Sequence, residues 1–344
     1  MTLDTAPDTT PTPNTILITG AGGWLGGLLA SALLADPATP NARLILADIV
    51  APRVPPGAGK ALALQADLCD AGAVDALFST ALGEPDTIYC LHGIMSRGSE
   101  DEFDLGLAVN VDSVRLLLER ARRCATAPKF IFTSSLAVYG GPLPEVVGPS
   151  TIATPEGAYG TGKLVSELLV NEYTRRGFVD GRVLRLPTIV VRPGPPSAAT
   201  SAFLSGIVRE PLSGQEAICP VGDGLDSPQL ALAAWVASPE TTIRNFVIAK
   251  HVPAAAFLPH TRAVYLPGFT VTVRQELEAL AEVAGPAALE LVKFKDDPVN
   301  RRIVSSWPAR FDNDYPLGLG FVVDEGGMVP IVRRFQAALK AQAK

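Results

Sequence analysis

Residues 15–26 read TILITGAGGWLG, a short β-branched run closed by glycines and followed by the helical spacing of WLGGLLASALLA. Strand, glycine-rich turn and helix in that order form the context in which a glycine triplet becomes a phosphate loop. Gly20 would permit the tight turn, Gly23 the approach of backbone to a pyrophosphate, and Gly26 the close packing of helix on strand. Trp24 and Leu25, opening the helix, would present backbone N–H groups and the positive end of its dipole to an anion. A glycine triplet alone is weak evidence, and the next strand strengthens it. RLILAD (43–48) ends in Asp48, twenty-two positions after Gly26. A carboxylate there can accept both ribose hydroxyls of an adenosine and repels a 2′-phosphate, so NAD is expected over NADP. Asp67, ending ALALQAD (61–67), is a candidate for the adenine amino group, with a turn-forming aspartate as the alternative. Leu68 beside it and Leu91 at the end of the fourth strand are placed on the same cofactor surface.

The rest of the first half repeats the unit. TIYCL (87–91), KFIFTSS (129–135) and GRVLRLPTIV (181–190) read as further strands, and FDLGLAVNVDSVRLLLERARR (103–123) and the segment after Gly157 as helices. Mostly apolar strands alternating with helices predict an α/β fold, a Rossmann-type doubly wound parallel sheet covered on both faces. Beyond Arg192 the pattern breaks into Pro- and Gly-rich pieces, which predicts a smaller C-terminal substrate domain. The expected division is a disordered tail over 1–14, an NAD-binding domain over 15–191 with part of 213–262 returning to it, and a substrate domain over 192–212 and 263–344.

Composition bounds the function. The 344 residues are 47% hydrophobic, enough for a large core, and the formal charge of −6 carries no basic stripe for nucleic acid or an anionic membrane. No apolar run reaches the roughly 20 residues of a spanning helix. The first fourteen residues lack the basic and apolar regions of a signal peptide. Cys69, Cys90, Cys124 and Cys219 form no close pair, which suits a reducing, cytoplasmic setting, and no metal site is expected.

TPEGAYGTGKLVSEL (154–168) places Tyr159 and Lys163 four residues apart, on one face of a helix. Thr154 and Pro155 read as its N-cap and first-turn proline. Three glycines in the first turns are costly to a helix, about 0.5–1 kcal/mol each, and read as room for a cofactor and substrate. An ammonium near a phenol favours the phenolate, which makes Tyr159 an acid/base for an alcohol losing hydride to a nicotinamide. Ser135, ending the fifth strand, can hold the same substrate oxygen.

The succession GAGGWLG, Asp48, TSSLAVYG (133–140), YGTGK (159–163) and LRLPTIVVRPG (184–194) resembles the extended short-chain dehydrogenase/reductase family of epimerases, dehydratases and dehydrogenases. PLPEVVG, SGIVREPLSGQEAICPV and IVSSWPARFD add a similarity to its D-erythronate dehydrogenase subgroup, covering most of residues 15–325. The resemblance implies Ser135, Tyr159 and Lys163 as catalytic residues, Asn110 in a helix that braces the lysine, and NAD held by the glycine loop, Asp48, Asp67 and the Pro187–Thr188 backbone. It also implies a homodimer through helices around 104–123 and 155–176. Two positions depart from the family pattern. His92 stands where a small residue is usual beside the cofactor, and reads either as a hydrogen-bonding spacer or as a second acid/base at the substrate. Arg97 brings an unexpected charge.

The expected reaction is hydride transfer between NAD and a secondary alcohol, with C2 of a small sugar acid such as D-erythronate as the reacting carbon. Such a substrate needs a cation for its carboxylate, and Arg192 and Arg209 are the candidates. A ketoreductase on a bulkier carbonyl compound and a dinucleotide-binding redox sensor without turnover are the alternatives. A sugar-nucleotide 4,6-dehydratase needs an acidic pair after the fifth-strand serine, where this chain has Leu136.

Overall fold

The computed structural model describes residues 14–194 and 199–342, so the expected tail lies outside the described residues apart from Asn14. The chain opens β1 (Thr15–Thr19), α1 (Trp24–Ala35), β2 (Arg43–Asp48), β3 (Ala61–Gln65), α2 (Ala71–Leu77), β4 (Thr87–Cys90), α3 (Ser96–Asp101), α4 (Phe103–Leu107), α5 (Ser113–Ala121), β5 (Lys129–Ser135), α6 (Ala158–Arg175) and β6 (Asp180–Leu186). It continues with β7 (Thr188–Ile189), α7 (Ala202–Leu212), β8 (Ala217–Cys219), β9 (Ala233–Ala237), α8 (Pro239–His251), β10 (Ala263–Tyr265), β11 (Phe269–Thr272), α9 (Val273–Ala284), β12 (Val292–Phe294), α10 (Pro298–Ser305), α11 (Asp314–Gly318) and α12 (Met328–Gln342).

Seven strands form one sheet in the order β3-β2-β1-β4-β5-β6-β10, all neighbours parallel. Its strands are apolar throughout because both faces are covered. Successive side chains point to opposite faces, so Ile16 and Ile18 join a core with Leu29, Leu33 and Phe246 from α1 and α8, while Leu17 between them joins Phe78, Leu117 and Leu118 on the other side. The chain leaves β1 for β2 on one side and reaches β4 on the other. A crevice opens beyond the carboxyl ends of strands at such a reversal, the place where doubly wound sheets bind ligands.

Three expectations are corrected. GRVLRLPTIV is two strands, because Pro187 has no N–H for the ladder; β7 beyond it pairs with β9 in a second, three-stranded sheet. Residues 103–123 are a helix interrupted by a π-turn over Ala108–Asp112. The boundary at 262/263 falls on the wrong side of β10, which pairs with β6 as the outermost strand of the main sheet, whereas β8 pairs with β12. A third core, built on Leu204, Val208, Val236, Leu277, Leu280 and Val332, lies among α7, α9 and α12. Among the described residues no helix is long and apolar enough to cross a membrane. All four cysteines are free thiols.

Candidate active site

The crevice is built from backbone. Gly20 has φ +72°, a conformation other residues rarely adopt, and a Cβ on it would meet the His92 backbone nitrogen at 2.7 Å. Gly23 donates its N–H to the Gly20 carbonyl at 3.1 Å and stands at the N-cap of α1, where no side chain caps the helix and no acidic residue occupies the first turn. The N–H groups of Trp24 and Leu25 therefore lack an intrahelical acceptor. A Cβ on Gly26 would come within 2.5 Å of the Gly20 carbonyl, so the loop and α1 are in contact there. Asp48 accepts the N–H of Gly22 at 2.9 Å and of Ile49 at 2.7 Å. Gly22, passed over in the sequence, is the residue that lets loop and carboxylate meet. Positive helix end, glycine cradle and carboxylate at the tip of β2 fit a dinucleotide with an unmodified adenosine ribose.

Leu91 crosses opposite that loop, its N–H donated to Thr19 at 3.2 Å. Asp67 accepts the N–H of Cys69 at 2.9 Å, the turn-forming alternative, and Leu68 is buried beside it. Asn110 lies in the π-turn. Its side chain exchanges hydrogen bonds with the Ile94 backbone and donates to Ser99. The bracing runs through its backbone, since Ser166, on α6 three residues past Lys163, donates to the Asn110 carbonyl at 2.7 Å.

Tyr159, Ser135, Pro187, Thr188, Arg192 and Trp307 line one cavity of about 80 Å³. The Ser135 hydroxyl stands beside the Tyr159 phenol in that cavity, and its Oγ accepts the Ala137 N–H at 3.1 Å. Burial pushes the Tyr159 phenol up, opposed by the Ser135 hydroxyl and the Arg192 charge. Lys163, 3% exposed, donates to the Thr133 carbonyl at 2.9 Å and lies 5.8 Å from the Tyr159 ring centre. Burial lowers its pKa to about 8, with Cys90 and Glu167 opposing. The expectation that Lys163 pulls the phenol down is thus corrected: burial outweighs the lowering contributions, and the charge among them is that of Arg192.

The helix begins at Ala158, later than Thr154 and Pro155 suggested, because Thr154 spends its hydroxyl on the Gly140 carbonyl at 2.6 Å. Glu100 of α3 caps it instead, accepting the Ala158 N–H at 2.6 Å. Nor do the glycines make open room. A Cβ on Gly160 would collide with the Ala137 carbonyl, and one on Gly162 would meet the Asn110 side chain at 3.1 Å. They let α6 pack directly on the turn after β5 and on the π-turn.

His92 has both ring nitrogens engaged, Nδ1 with Thr19 at 2.8 Å and Nε2 with Ser113 at 2.7 Å. The two hydroxyls also reach backbone carbonyls, Ser113 that of Val109 at 2.6 Å and Thr19 that of Tyr89 at 3.3 Å. Burial, then the Lys163 charge, lowers the His92 pKa to about 3. It is a neutral spacer away from the Tyr159 cavity. Arg97 is exposed and paired with Asp101 at 2.7 Å. Arg192 reaches the cavity, but Arg209 does not: its guanidinium binds Glu210 at 2.6 Å and the Arg192 carbonyl at 2.9 Å. Sequence reasoning missed the ion pair behind the site. Glu167 binds Arg185 through both carboxylate oxygens, at 2.9 and 2.6 Å, and accepts from Ser134 at 2.5 Å. Its position four residues past Lys163 on the same helical face, and Arg185 among the apolar residues near the end of its strand, were the available signals.

A doubly wound sheet with a glycine loop, an acidic second strand and a serine–tyrosine–lysine group defines a dinucleotide-dependent oxidoreductase. The sequence matches the NAD dependent epimerase/dehydratase family over residues 16–230, and the chain belongs to that family. It is 43% identical over 309 residues to a D-erythronate dehydrogenase of Haemophilus influenzae, covering 90% of this chain and 95% of that one. A D-erythronate dehydrogenase of Cupriavidus necator is 42% identical over 317 residues, covering 90% and 94%. Among solved structures, a nucleoside-diphosphate-sugar epimerase from Agrobacterium tumefaciens superimposes with a TM-score of 0.85 at 35% identity, covering 93% of this chain and 92% of that one. The chain is an enzyme, an NAD-dependent oxidoreductase.

Proposed function

We propose that the enzyme oxidises the C2 hydroxyl of a small sugar acid, such as D-erythronate, to the 2-oxo acid. The observation that carries this reading is Arg192, a half-buried arginine lining the same cavity as Ser135 and Tyr159; the two dehydrogenase relatives support it. NAD, when bound, supplies the hydride acceptor. The glycine loop and Asp48 would hold its adenosine diphosphate half, and Pro187 and Thr188 would flank its reactive end. Tyr159 takes the hydroxyl proton, Ser135 holds the oxygen, and Arg192 pairs with the carboxylate. The Lys163 ammonium adds positive charge where the phenolate forms. Four carbons bury too little apolar area, at about 25 cal/mol per Å², to fix the substrate without that ion pair. Removing a charge-assisted bond costs about 1.5–3 kcal/mol, so Arg192→Met should lower kcat/KM for a hydroxy acid about ten-fold to a hundred-fold while a neutral alcohol analogue loses little. Equal losses on both would make Arg192 structural.

A second reading, reduction of a bulkier carbonyl compound, is favoured by the wide cleft of about 970 Å³ that opens from Tyr159 between α3 and α10. Assaying four- and six-carbon sugar acids and uncharged ketones with NAD and NADP separates the two. We place the enzyme in cytoplasmic carbohydrate metabolism as a homodimer. Phe103 and Leu168, 58% and 62% exposed on α4 and α6, are apolar surface that pairing would cover. A monomer by analytical ultracentrifugation would refute the dimer.

A further inference from the structure

We propose that the buried Glu167–Arg185 pair is the positioning device of the catalytic site, fixing α6, β5 and β6 in register and supplying the counter-charge to Lys163. The pair joins three elements at the positions that matter. Glu167 follows Lys163 by one helical turn, Ser134 precedes Ser135, and Arg185 stands two residues before Pro187, which lines the cavity. Arg185 is held from its other side by the Tyr139 hydroxyl at 2.6 Å, with its guanidinium 4.9 Å from that ring centre. Every member of the network is therefore tied to at least one other element, and a displacement of α6 along β5 would break several bonds together.

Stability alone does not explain charge at this place. Glu167 is 2% exposed as a residue, and burying an ion pair costs desolvation that apolar side chains of similar volume would avoid. The electrostatic surroundings of Lys163 supply a reason. The groups facing it are the Cys90 thiol from β4, held protonated by burial up to about 12, neutral His92, the Phe132 ring of β5, Tyr159, and Glu167 from its own helix. Arg192 adds a further cation beside Tyr159. Glu167 is thus the carboxylate set against the buried ammonium, and it opposes the loss of the Lys163 proton.

This inference rests on Lys163 acting as an ammonium in the proposed reaction, and the test separates the two. Glu167→Gln keeps the shape and one acceptor but removes the charge. The alkaline limb of its kcat profile should move to lower pH by about half a unit or more, and kcat should fall at least about ten-fold. Titration of Lys163 by heteronuclear NMR of lysine-labelled protein needs no turnover and should show the same shift. Arg185→Lys keeps both charges and loses the fork; its kcat should fall while the alkaline limb and the KM for NAD stay in place. A folded Glu167→Gln protein with wild-type limb, wild-type Lys163 titration and wild-type kcat overturns the proposal. If that variant does not fold, Arg185→Lys decides: wild-type kcat overturns the positioning role, and a selective kcat loss upholds it. A wild-type protein that oxidises no hydroxy acid yet shows the Lys163 shift in Glu167→Gln would fail the reaction assignment and leave the charge assignment standing.

Discussion

Asp48 divides its carboxylate between two backbone N–H groups, one from the glycine loop and one from Ile49. It therefore holds the loop, and in the proposed cofactor site its negative charge would oppose a 2′-phosphate. Asp48→Ser should lower NAD affinity, because both a hydroxyl partner and the Gly22 contact are lost, and should raise the NADP/NAD ratio of kcat/KM. Native preference for NADP would contradict the role. At this scale the sequence was informative wherever the requirement is local. Gly20 needs its backbone conformation, and Tyr159 and Lys163 share a helical face whatever surrounds them. It was uninformative wherever the answer depends on a distant partner. Arg209 and Arg192 look alike in sequence, yet Glu210 and a carbonyl claim the first, and the second lines the cavity. Thr19 and Ser113 likewise turn His92 into a spacer from positions 73 and 21 residues away.

The catalytic helix α6 carries the same lesson for elements. On an exposed helix, glycine to alanine is stabilising by up to about 1 kcal/mol. At Gly160 the sign should reverse, because the added methyl meets the Ala137 carbonyl in the turn that follows Ser135. Gly160→Ala should cost about 1–3 kcal/mol, the usual cost of overpacking, and lower kcat by shifting Tyr159 relative to Ser135. Thr161→Ala, at an exposed position of the same helix, should leave both unchanged. A higher melting temperature for Gly160→Ala would show that α6 does not pack as described. Existence and type of the main elements were legible from periodicity, since apolar strands and helical spacing are set by burial. Their ends were not: the start of α6 depends on a cap from Glu100, and the break after β6 on Pro187 finding a second sheet.

Across the whole molecule, the Rossmann half follows from its repeats, while the lobe around α7, α9 and α12 left little pattern because its strands are short and drawn from distant segments. That lobe holds a feature no pattern announces. Glu276 of α9 is fully buried with neither carboxylate oxygen hydrogen-bonded, and burial raises its pKa well above the usual carboxylate range. The folded state keeps it protonated where the unfolded chain ionises, so the folded state binds the extra proton and its stability falls as pH rises above about 4.5. Glu276→Gln should flatten that decline between about pH 5 and 7, measured by denaturant unfolding; a slope equal to wild type would mean that the carboxyl is solvated or paired. The proposed reaction turns on one chemical step, proton removal by Tyr159 as an alcohol is oxidised with NAD. Its most direct measurement is the initial rate of NADH formation from D-erythronate by the wild-type enzyme and by Tyr159→Phe, with NAD binding to both followed by fluorescence. The predicted result is turnover by the wild type and a loss of about 10²–10⁴ in the variant with NAD binding little changed; NADH formation at similar rates by both, or none by the wild type, would contradict it.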